Sequence, residues 1–377
     1  MVSFPVHVLR ATCAAASLAA VSAQALPTYT IQDIGPFDGL LTTISNNGHV
    51  AGTYNVVSNT VTHAFLYTPG SGFQDLGSLG EGLSSTIGAQ AVNDAGHVAG
   101  ANAAFANGTW QAQAFLYSKQ TGMQSLGTLG GAPTFGMAIN NLGHVAGYSF
   151  APSGDRRMLL HDGSTMSDLG SIGSIGGDVR AMNDVGQITG SIGGTTLDFK
   201  SRGFVYTPGT GFTELGTLGG LYSLGNDINE TGSVAGQAST AEWIGEKGGF
   251  YRTHAVLYAP DGTPTDLGAL GVNEDSFATG LNDAGLAVGM SGQTPFLYAD
   301  GAMVDLRALL DPQGAEGWTF ITADDINNDG LISGHGLFNG QHRAFLATPM
   351  EPGGGQCRVP QSVIGAAVAA LRKSLGG

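Results

Sequence analysis

Apolar and polar residues alternate along this chain in short runs, and one nine-residue run returns seven times. Residues 92–100, VNDAGHVAG, are its clearest copy. Each copy predicts a strand that ends on an Asn-Asp pair or a close variant of it, a tight turn whose glycine takes the left-handed position, and a second strand. The copies are residues 44–52, 92–100, 139–147, 182–190, 228–236, 281–289 and 326–334.

Two further runs recur between these copies and predict two more strands per repeat. The third strand is typified by residues 63–67, HAFLY, which are rich in strand-favouring residues. The fourth ends at Asp75-Leu76-Gly77. Successive repeats are 43 to 53 residues apart, a spacing close to that of a four-stranded propeller blade.

The phase of the repeats predicts a closed ring. The chain begins with a lone fourth strand at residues 29–35, and the last repeat ends on a third strand at 343–347. Strand types therefore balance at seven each only if the first strand completes the last blade, which removes exposed sheet edges. An open solenoid would need polar capping repeats and gives no reason for this offset. We expect an all-β, seven-bladed β-propeller over residues 26–349.

Composition and charge narrow the function classes. The chain has 62 glycines, 42% hydrophobic residues and only 11% charged residues, which excludes disorder and fits short strands joined by tight turns. The chain has a net charge of −15. A protein this acidic lacks the basic surface that binds nucleic acids, and it is repelled by anionic membranes.

The two ends are predicted to lie outside the propeller. Residues 1–25 read as a signal peptide, with Arg10, an apolar run at 11–21 and an A-x-A site at 23–25, so we expect a secreted protein. The apolar run is too short to span a membrane. Residues 350–377 read as a Gly-rich linker and a short Ala-rich helix. Cys13 falls in the leader, so Cys357 has no partner for an intramolecular disulfide in the mature chain. We expect the mature protein to be a monomer.

The motifs resemble the HAF extracellular repeat family, named for the tripeptide that stands here at residues 63–65. The Asn-Asp-Gly turns, the Gly-rich runs at 127–131 and 216–220, and residues 309–312 (LLDP) before Gly317 and Trp318 carry the likeness over residues 28–349. The resemblance implies a secreted bacterial protein and no particular activity. Many members end in a Pro-Glu-Pro sorting tail. Residues 359–373 have a similar order without the Pro-Glu-Pro core, so they predict either a short surface helix or a degenerate sorting signal, and the resemblance does not extend to cell-surface sorting.

One repeat carries the pattern of a calcium loop. Asp325, Asn327 and Asp329 precede Gly330 as in a D-x-N-x-D-G loop, whose oxygens wrap a calcium ion. Gly336 stands where the last carboxylate ligand should be, and the other repeats form the turn without this set. A metal-free hairpin is the favoured interpretation, calcium binding is the alternative, and no other cofactor is expected.

The recurring histidines and acids have structural interpretations. His49, His97 and His144 hold one position in successive repeats, too far apart for shared zinc. The motif residues His63 and His254 are replaced in other repeats. We expect the strand-end acids to bond nearby backbone amides; they are Asp33, Asp75, Asp168, Asp266 and Asp305. No catalytic residue is assigned, since nothing singles out the carboxylate pair that a glycosidase needs.

Function is expected on the face that carries the second-to-third and fourth-to-first connections, because the former vary most in length. The longest, residues 237–253, carries Trp243, Lys247, Tyr251 and Arg252, and Trp110 lies in the second. We interpret these as contacts of a binding or structural module for an extracellular protein or glycan; anchoring of the loops is the alternative. A secreted hydrolase or lyase at the propeller mouth, the less favoured function, would show carboxylates of several first strands in the channel.

Overall fold

The structure is a computed structural model that describes residues 26–57, 61–79, 85–106, 109–173, 177–193, 201–245 and 249–350. Within these ranges the chain forms seven antiparallel sheets arranged as a ring, so the predicted seven-bladed β-propeller is confirmed. The same ranges contain no helix long and apolar enough to cross a membrane. The leader, the tail and both cysteines lie outside them, and the predictions made there stay predictions.

Each of the first six blades is a meander of four consecutive strands. Blade 1 comprises β2 (Thr43–Ile44), β3 (Val50–Val57), β4 (Val61–Thr68) and β5 (Gly72–Gly77). Blade 2 comprises β6 (Ser85–Val92), β7 (Val98–Ala106), β8 (Thr109–Ser118) and β9 (Gly122–Ser125). Blade 3 comprises β10 (Thr134–Ile139), β11 (Val145–Phe150), β12 (Arg156–His161) and β13 (Met166–Ser171).

The next three blades repeat this order. Blade 4 comprises β14 (Asp178–Met182), β15 (Ile188–Ile192), β16 (Arg202–Thr207) and β17 (Gly211–Glu214). Blade 5 comprises β18 (Gly219–Ile228), β19 (Val234–Ile244), β20 (Phe250–Tyr258) and β21 (Pro264–Gly268). Blade 6 comprises β22 (Ser276–Leu281), β23 (Ala287–Ser291), β24 (Thr294–Ala299) and β25 (Ala302–Asp305), and a 3₁₀ helix follows at Leu306–Leu309.

Blade 7 joins the two ends of the described chain. Its strands are β26 (Trp318–Ile321), β27 (Asp325–Ile326), β28 (Ile332–Phe338), β29 (Gln341–Met350) and, on the outside, β1 (Thr28–Pro36). The β1 strand pairs antiparallel with β29 from Thr28 opposite Met350 to Pro36 opposite Arg343, with one register shift between Asp33 and Gly35. The Arg343 guanidinium bonds the Asp33 carboxylate, with Nη2 and Oδ2 2.9 Å apart. The predicted closure by the N-terminal strand is therefore confirmed.

The hydrophobic core lies between the faces of neighbouring blades. The central residue of each third strand is fully buried there. These seven residues are Phe65, Phe115, Leu159, Phe204, Val256, Phe296 and Phe345. Since burying one such side chain contributes about 1.5–3 kcal/mol, stability is spread around the ring rather than gathered in one centre.

The glycine that ends the second-strand motif is required by a close backbone contact. At Gly236 an added Cβ would lie 2.0 Å from the carbonyl oxygen of Leu224, and at Gly147 it would lie 1.9 Å from that of Phe135. The first strand has a register shift beside each glycine, and this bulge brings the carbonyl inward. Residues of the bulged first strands, among them Asp227, line the central channel.

Candidate functional site

A first set of hydrogen bonds links the Asn-Asp turns of neighbouring blades. Asn282 is typical: its Nδ2 donates to the carbonyl oxygen of Asn327 in the next blade at 3.0 Å, while its Oδ1 accepts the backbone N–H groups of Ala284 and Leu286. The same bond to the next blade is made by Asn93, Asn183, Asn229 and Asn327. The Asn327 bond reaches Ser45 of blade 1 and so spans the closing seam.

A second set of bonds completes a ring at the channel mouth. In each blade a backbone N–H of the turn donates to a side-chain oxygen of the next blade, at 2.7 to 3.1 Å. The accepting residues are Asn46, Asp94, Asn141, Asp184, Glu230, Asp283 and Asn328. Four acids of the mouth therefore hold blades together. The sequence predicted the turn itself correctly, but not this role of the Asn-Asp pair.

Beyond this ring the first strands enclose a cavity of about 430 Å³. Two of its carboxylates come from different blades: Asp227 from β18 and Asp325 from β27. Asp227 accepts the backbone N–H of Leu281 at 2.7 Å, and Asp325 accepts that of Ile44 at 2.9 Å. Each carboxylate thus reaches across to the next blade, and the two flank β22 between them.

Burial changes the acidity of this pair. Burial raises the pKa of Asp227 to about 6, although backbone N–H donors lower it in part. Burial also raises the pKa of Asp325 well above its ordinary value, and the charge of Asp227 adds to the rise. A carboxylic acid that titrates near neutral pH inside a cavity can bind a cation or exchange a proton.

Two further charged groups complete the cavity wall. Asp324, 2% exposed, accepts the N–H and hydroxyl of Thr42 and faces His335 Nδ1 at 2.9 Å, all through Oδ2. Its Oδ1 has no hydrogen-bond partner among the described residues. On another side, Arg180 lines the cavity and forms an ion pair of 3.1 Å with Asp178.

The residues of the predicted calcium loop are engaged in bonds within the protein. Asn327 Oδ1 accepts the backbone N–H groups of Asp329 and Leu331, at 3.1 and 2.9 Å. Asp325 turns towards blade 1, where it bonds Ile44. Across the described ranges no cluster of three histidine, cysteine or acidic residues is arranged to hold a metal. Calcium binding stays a prediction that these contacts do not favour.

The recurring strand-end acids bond backbone amides as predicted. Asp75 accepts the N–H of Gly77 at 2.8 Å, and equivalent bonds form at Asp33, Asp168, Asp266 and Asp305. The structure adds a partner that we did not predict, because His63 Nδ1 lies 2.9 Å from Asp75. Although burial raises the pKa of Asp75, the bonds from Gly77 and His63 outweigh it and lower that pKa. These outer-edge pairs, with Arg157, Arg202, His254 and Arg343 in other blades, join third and fourth strands.

The His49 family of turn residues is structural in the described contacts. His49 packs against Gly96 of the next turn, with ring atoms 3.7 Å from the position that a Cβ would take there. His97 stands in the same relation to Gly143. Burial lowers the pKa of His49, and the nearby Asp94 opposes that change. His49 and His97 thus each contact the turn glycine of the following blade.

Most of the predicted loop at residues 237–253 is instead a β-hairpin. The β19 strand runs to Ile244 and β20 begins at Phe250, with Trp243 paired to Tyr251. The two rings meet edge to face, with centroids 5.0 Å apart. Trp243 and Phe250 remain 49% and 57% exposed. Of the other residues predicted for binding, Lys247 and the side chain of Trp110 lie outside the described part.

Arg252 anchors this hairpin to blade 6. Its side chain is buried, and Nη1 donates to the carbonyl oxygen of Asn273 at 2.5 Å. Glu242 and Asp275 lie 3.5 and 3.6 Å from its guanidinium. Of the residues predicted for partner binding, Trp243 is therefore exposed, whereas the Arg252 side chain is buried in contacts within the protein.

Exposed apolar side chains are concentrated on the face of the second-to-third and fourth-to-first connections, here called the loop face. Of twelve large apolar side chains exposed in the described ranges, nine lie there. Blades 5 and 6 contribute five of them, here called the hairpin patch: Leu221, Trp243, Phe250, Leu270 and Val272. The remaining three, Leu142, Val185 and Phe212, belong to turns of the opposite face. Because Trp243 pairs with Tyr251 and Phe250 pairs with Ile244, the side chains of Trp243 and Phe250 leave opposite sides of the hairpin. Both add exposed apolar surface to the loop face, and an excess of such surface on one face is typical of an interaction surface.

The comparisons with known proteins identify the fold. No family model matches the chain, and no curated protein does, so the resemblance to HAF repeats rests on the motifs alone. Among solved structures, acylaminoacyl peptidase from Pyrococcus horikoshii is similar with a TM-score of 0.50 at 11% identity, over 89% of this chain and 54% of the peptidase. TolB from Acinetobacter baumannii is similar with a TM-score of 0.42 at 16% identity, over 83% of this chain and 66% of TolB. At such identities the likeness to the peptidase shows the shared propeller fold alone.

Proposed function

We propose that this chain is a secreted, non-enzymatic propeller that binds another extracellular protein through the hairpin patch. The observation that carries the proposal is the concentration of exposed apolar side chains on the loop face, nine against three on the opposite face. Aromatic side chains such as Trp243 supply most of the binding energy where they are central to an interface. Secretion is supported by the leader pattern of residues 1–25.

The composition of the patch favours a protein over a glycan. Val272, 91% exposed, and Leu270 are aliphatic and offer no group to a sugar hydroxyl, whereas protein interfaces bury such side chains at their centres. Glu242 and Asp275 beside the patch are 57% and 45% exposed. With a chain charge of −15, they favour a partner whose contact surface has a basic rim.

The test compares two faces of the same molecule. Wild type, a loop-face variant (Trp243→Ser with Phe250→Ser) and an opposite-face variant (Leu142→Ser with Val185→Ser) are immobilised and exposed to extracellular proteins of the source organism. A protein that binds the wild type is then purified and titrated. We expect at least tenfold weaker binding by the loop-face variant and unchanged binding by the opposite-face variant. Equal binding by all three, or retention of glycans only, would reject the proposal.

A hydrolase or lyase is a second candidate, favoured by the Asp227 and Asp325 pair. These carboxylates come from two first strands and face one cavity, which is the arrangement that an enzyme at the propeller mouth requires. One acid held protonated near neutral pH could act as a general acid. Incubation with polysaccharide and ester panels tests this candidate, and turnover by wild type that Asp227→Ala abolishes would replace the binding function.

A further inference from the structure

The seven repeats provide an internal comparison for the channel. At the position of Asp227 the other blades carry Thr43, Ala91, Ala138, Ala181, Gly280 and Asp325. Three blades therefore fold with alanine there, and the bonds of the channel mouth do not involve this position. Burying a carboxylate is unfavourable unless a partner compensates it. Asp227 and Asp325 are thus additions that the fold itself does not require.

A neighbouring glycine accommodates one of these additions. An added Cβ at Gly280 would lie 2.7 Å from the Cα of Asp325 and 2.8 Å from its Oδ1. The nitrogen of Ile326 would lie 2.9 Å from the same Cβ, so Gly280 lets the backbone of blade 7, and with it the Asp325 carboxylate, approach β22 closely.

A third carboxylate of the same wall has one oxygen that no described residue bonds. Asp324 lines the cavity, is 2% exposed, and keeps its Oδ1 without a hydrogen-bond partner among the described residues. A buried carboxylate oxygen without a donor is destabilising, and a nearby cation would offset this effect. Arg180, the single basic residue that the described wall contributes, already pairs with Asp178.

We propose that the central cavity binds a small organic cation whose primary ammonium group donates to Asp227 and Asp325. A compact ammonium has three N–H donors and no acceptor, which suits carboxylates that each have lone pairs left over from their backbone bonds. The aliphatic part of the ligand passes Ala91, Met137 and Ala138, and the second ammonium of a diamine reaches the acids Asp94 and Asp184 of the same cavity lining. The site is independent of the hairpin patch and adds a ligand to the proposed function.

The experiment uses 1,5-diaminopentane as the probe, with the full mature chain and isothermal titration calorimetry at pH 7.5 and low salt. We expect saturable binding at one site, and no binding of the uncharged 1,5-pentanediol. Asp227→Ala and Asp325→Ala, which copy the alanine of other blades, should each weaken binding at least tenfold. Glu316→Gln, which removes one exposed charge of blade 7, should bind as wild type does.

Other results overturn the inference. If Glu316→Gln weakened diamine binding as much as Asp227→Ala does, the loss of affinity would be explained by the overall charge of the chain and not by a site. Absence of diamine binding, or binding of Ca²⁺ without binding of the diamine, would reject an ammonium site. The loop-face variant Trp243→Ser with Phe250→Ser should retain diamine binding, so failure of the hairpin patch and failure of the cavity are told apart.

Discussion

The bonds between successive Asn-Asp turns can be weighed with one pair of substitutions. Asn282 and Asn140 hold the same position, and both are 3% exposed. Asn282 makes one bond to blade 7 and two within its own turn. Asn140 accepts the N–H of His144, and its Nδ2 has no partner in the described part of the chain. The two residues differ in what they bond rather than in where they lie.

Replacement of each asparagine by alanine should therefore have unequal effects. A hydrogen bond contributes about 1 kcal/mol net, so Asn282→Ala should lower the free energy of unfolding by about 3 kcal/mol and Asn140→Ala by about 1 kcal/mol. About half of the expected 2 kcal/mol difference belongs to the bond between blades.

Urea unfolding followed by fluorescence gives both free energies, provided the denaturant slopes agree. A loss for Asn140→Ala as large as that for Asn282→Ala would show that the asparagine stabilises only its own turn. The interpretation of the turns as clasps between blades would then be wrong. Equal denaturant slopes with a clear difference in midpoints would support it.

Two further predictions concern the bulge and the channel. Gly236→Ala should destabilise the protein by more than about 3 kcal/mol, because its Cβ would overlap the Leu224 carbonyl. Gly209→Ala should be destabilising by roughly 1 kcal/mol, because its Cβ meets open space and only the φ of +78° is unfavourable. Equal midpoints of thermal unfolding for the two variants would contradict this. Asp227 shares the channel with the N–H groups that it bonds and with the acids Asp283 and Asp325, and its pKa is raised. Its protonated form therefore stabilises the folded protein. This stabilisation is complete below the ordinary carboxyl pKa and is lost as the pH rises through about 6. Between pH 4.5 and 7.5 the wild type should lose roughly 2 kcal/mol relative to Asp227→Ala, and parallel urea midpoints across this range would refute the assignment.

Much of the fold could be predicted from the repeat pattern, because period, turn glycines and strand order are properties of one blade. The fourth strand at residues 29–35 has no partner within its own repeat, so its pairing with β29 followed from counting strands. The bonds between turns could not be predicted in this way. These bonds depend on the distance between two neighbouring blades, and the sequence of a single repeat does not give that distance.

A signal for those bonds was nevertheless present. A tight turn needs its glycine, which here has positive φ, as at Gly96, but it does not need both Asn93 and Asp94 before it. The recurrence of that pair exceeded what the turn requires. Similarly, Asp227 and Asp325 were the acidic exceptions at their position, but the local spacing offered Asp325 only two roles, in a metal-free hairpin, which we favoured, or in a calcium loop, the alternative. The channel that unites them exists only after the ring closes.

Departures from the repeat place both proposed sites in one part of the ring. The buried third-strand residue, which recurs in every blade, serves packing, and the turn asparagine, which recurs in six of the seven, serves the bonds between blades in five of them. Blade 5 departs from its relatives twice: Asp227 on β18 enters the cavity, and β19 extends to carry Trp243. These two strands pair with each other. A ligand in the cavity and a partner on the loop face would therefore both contact blade 5, which is the blade where substitutions should separate function from folding.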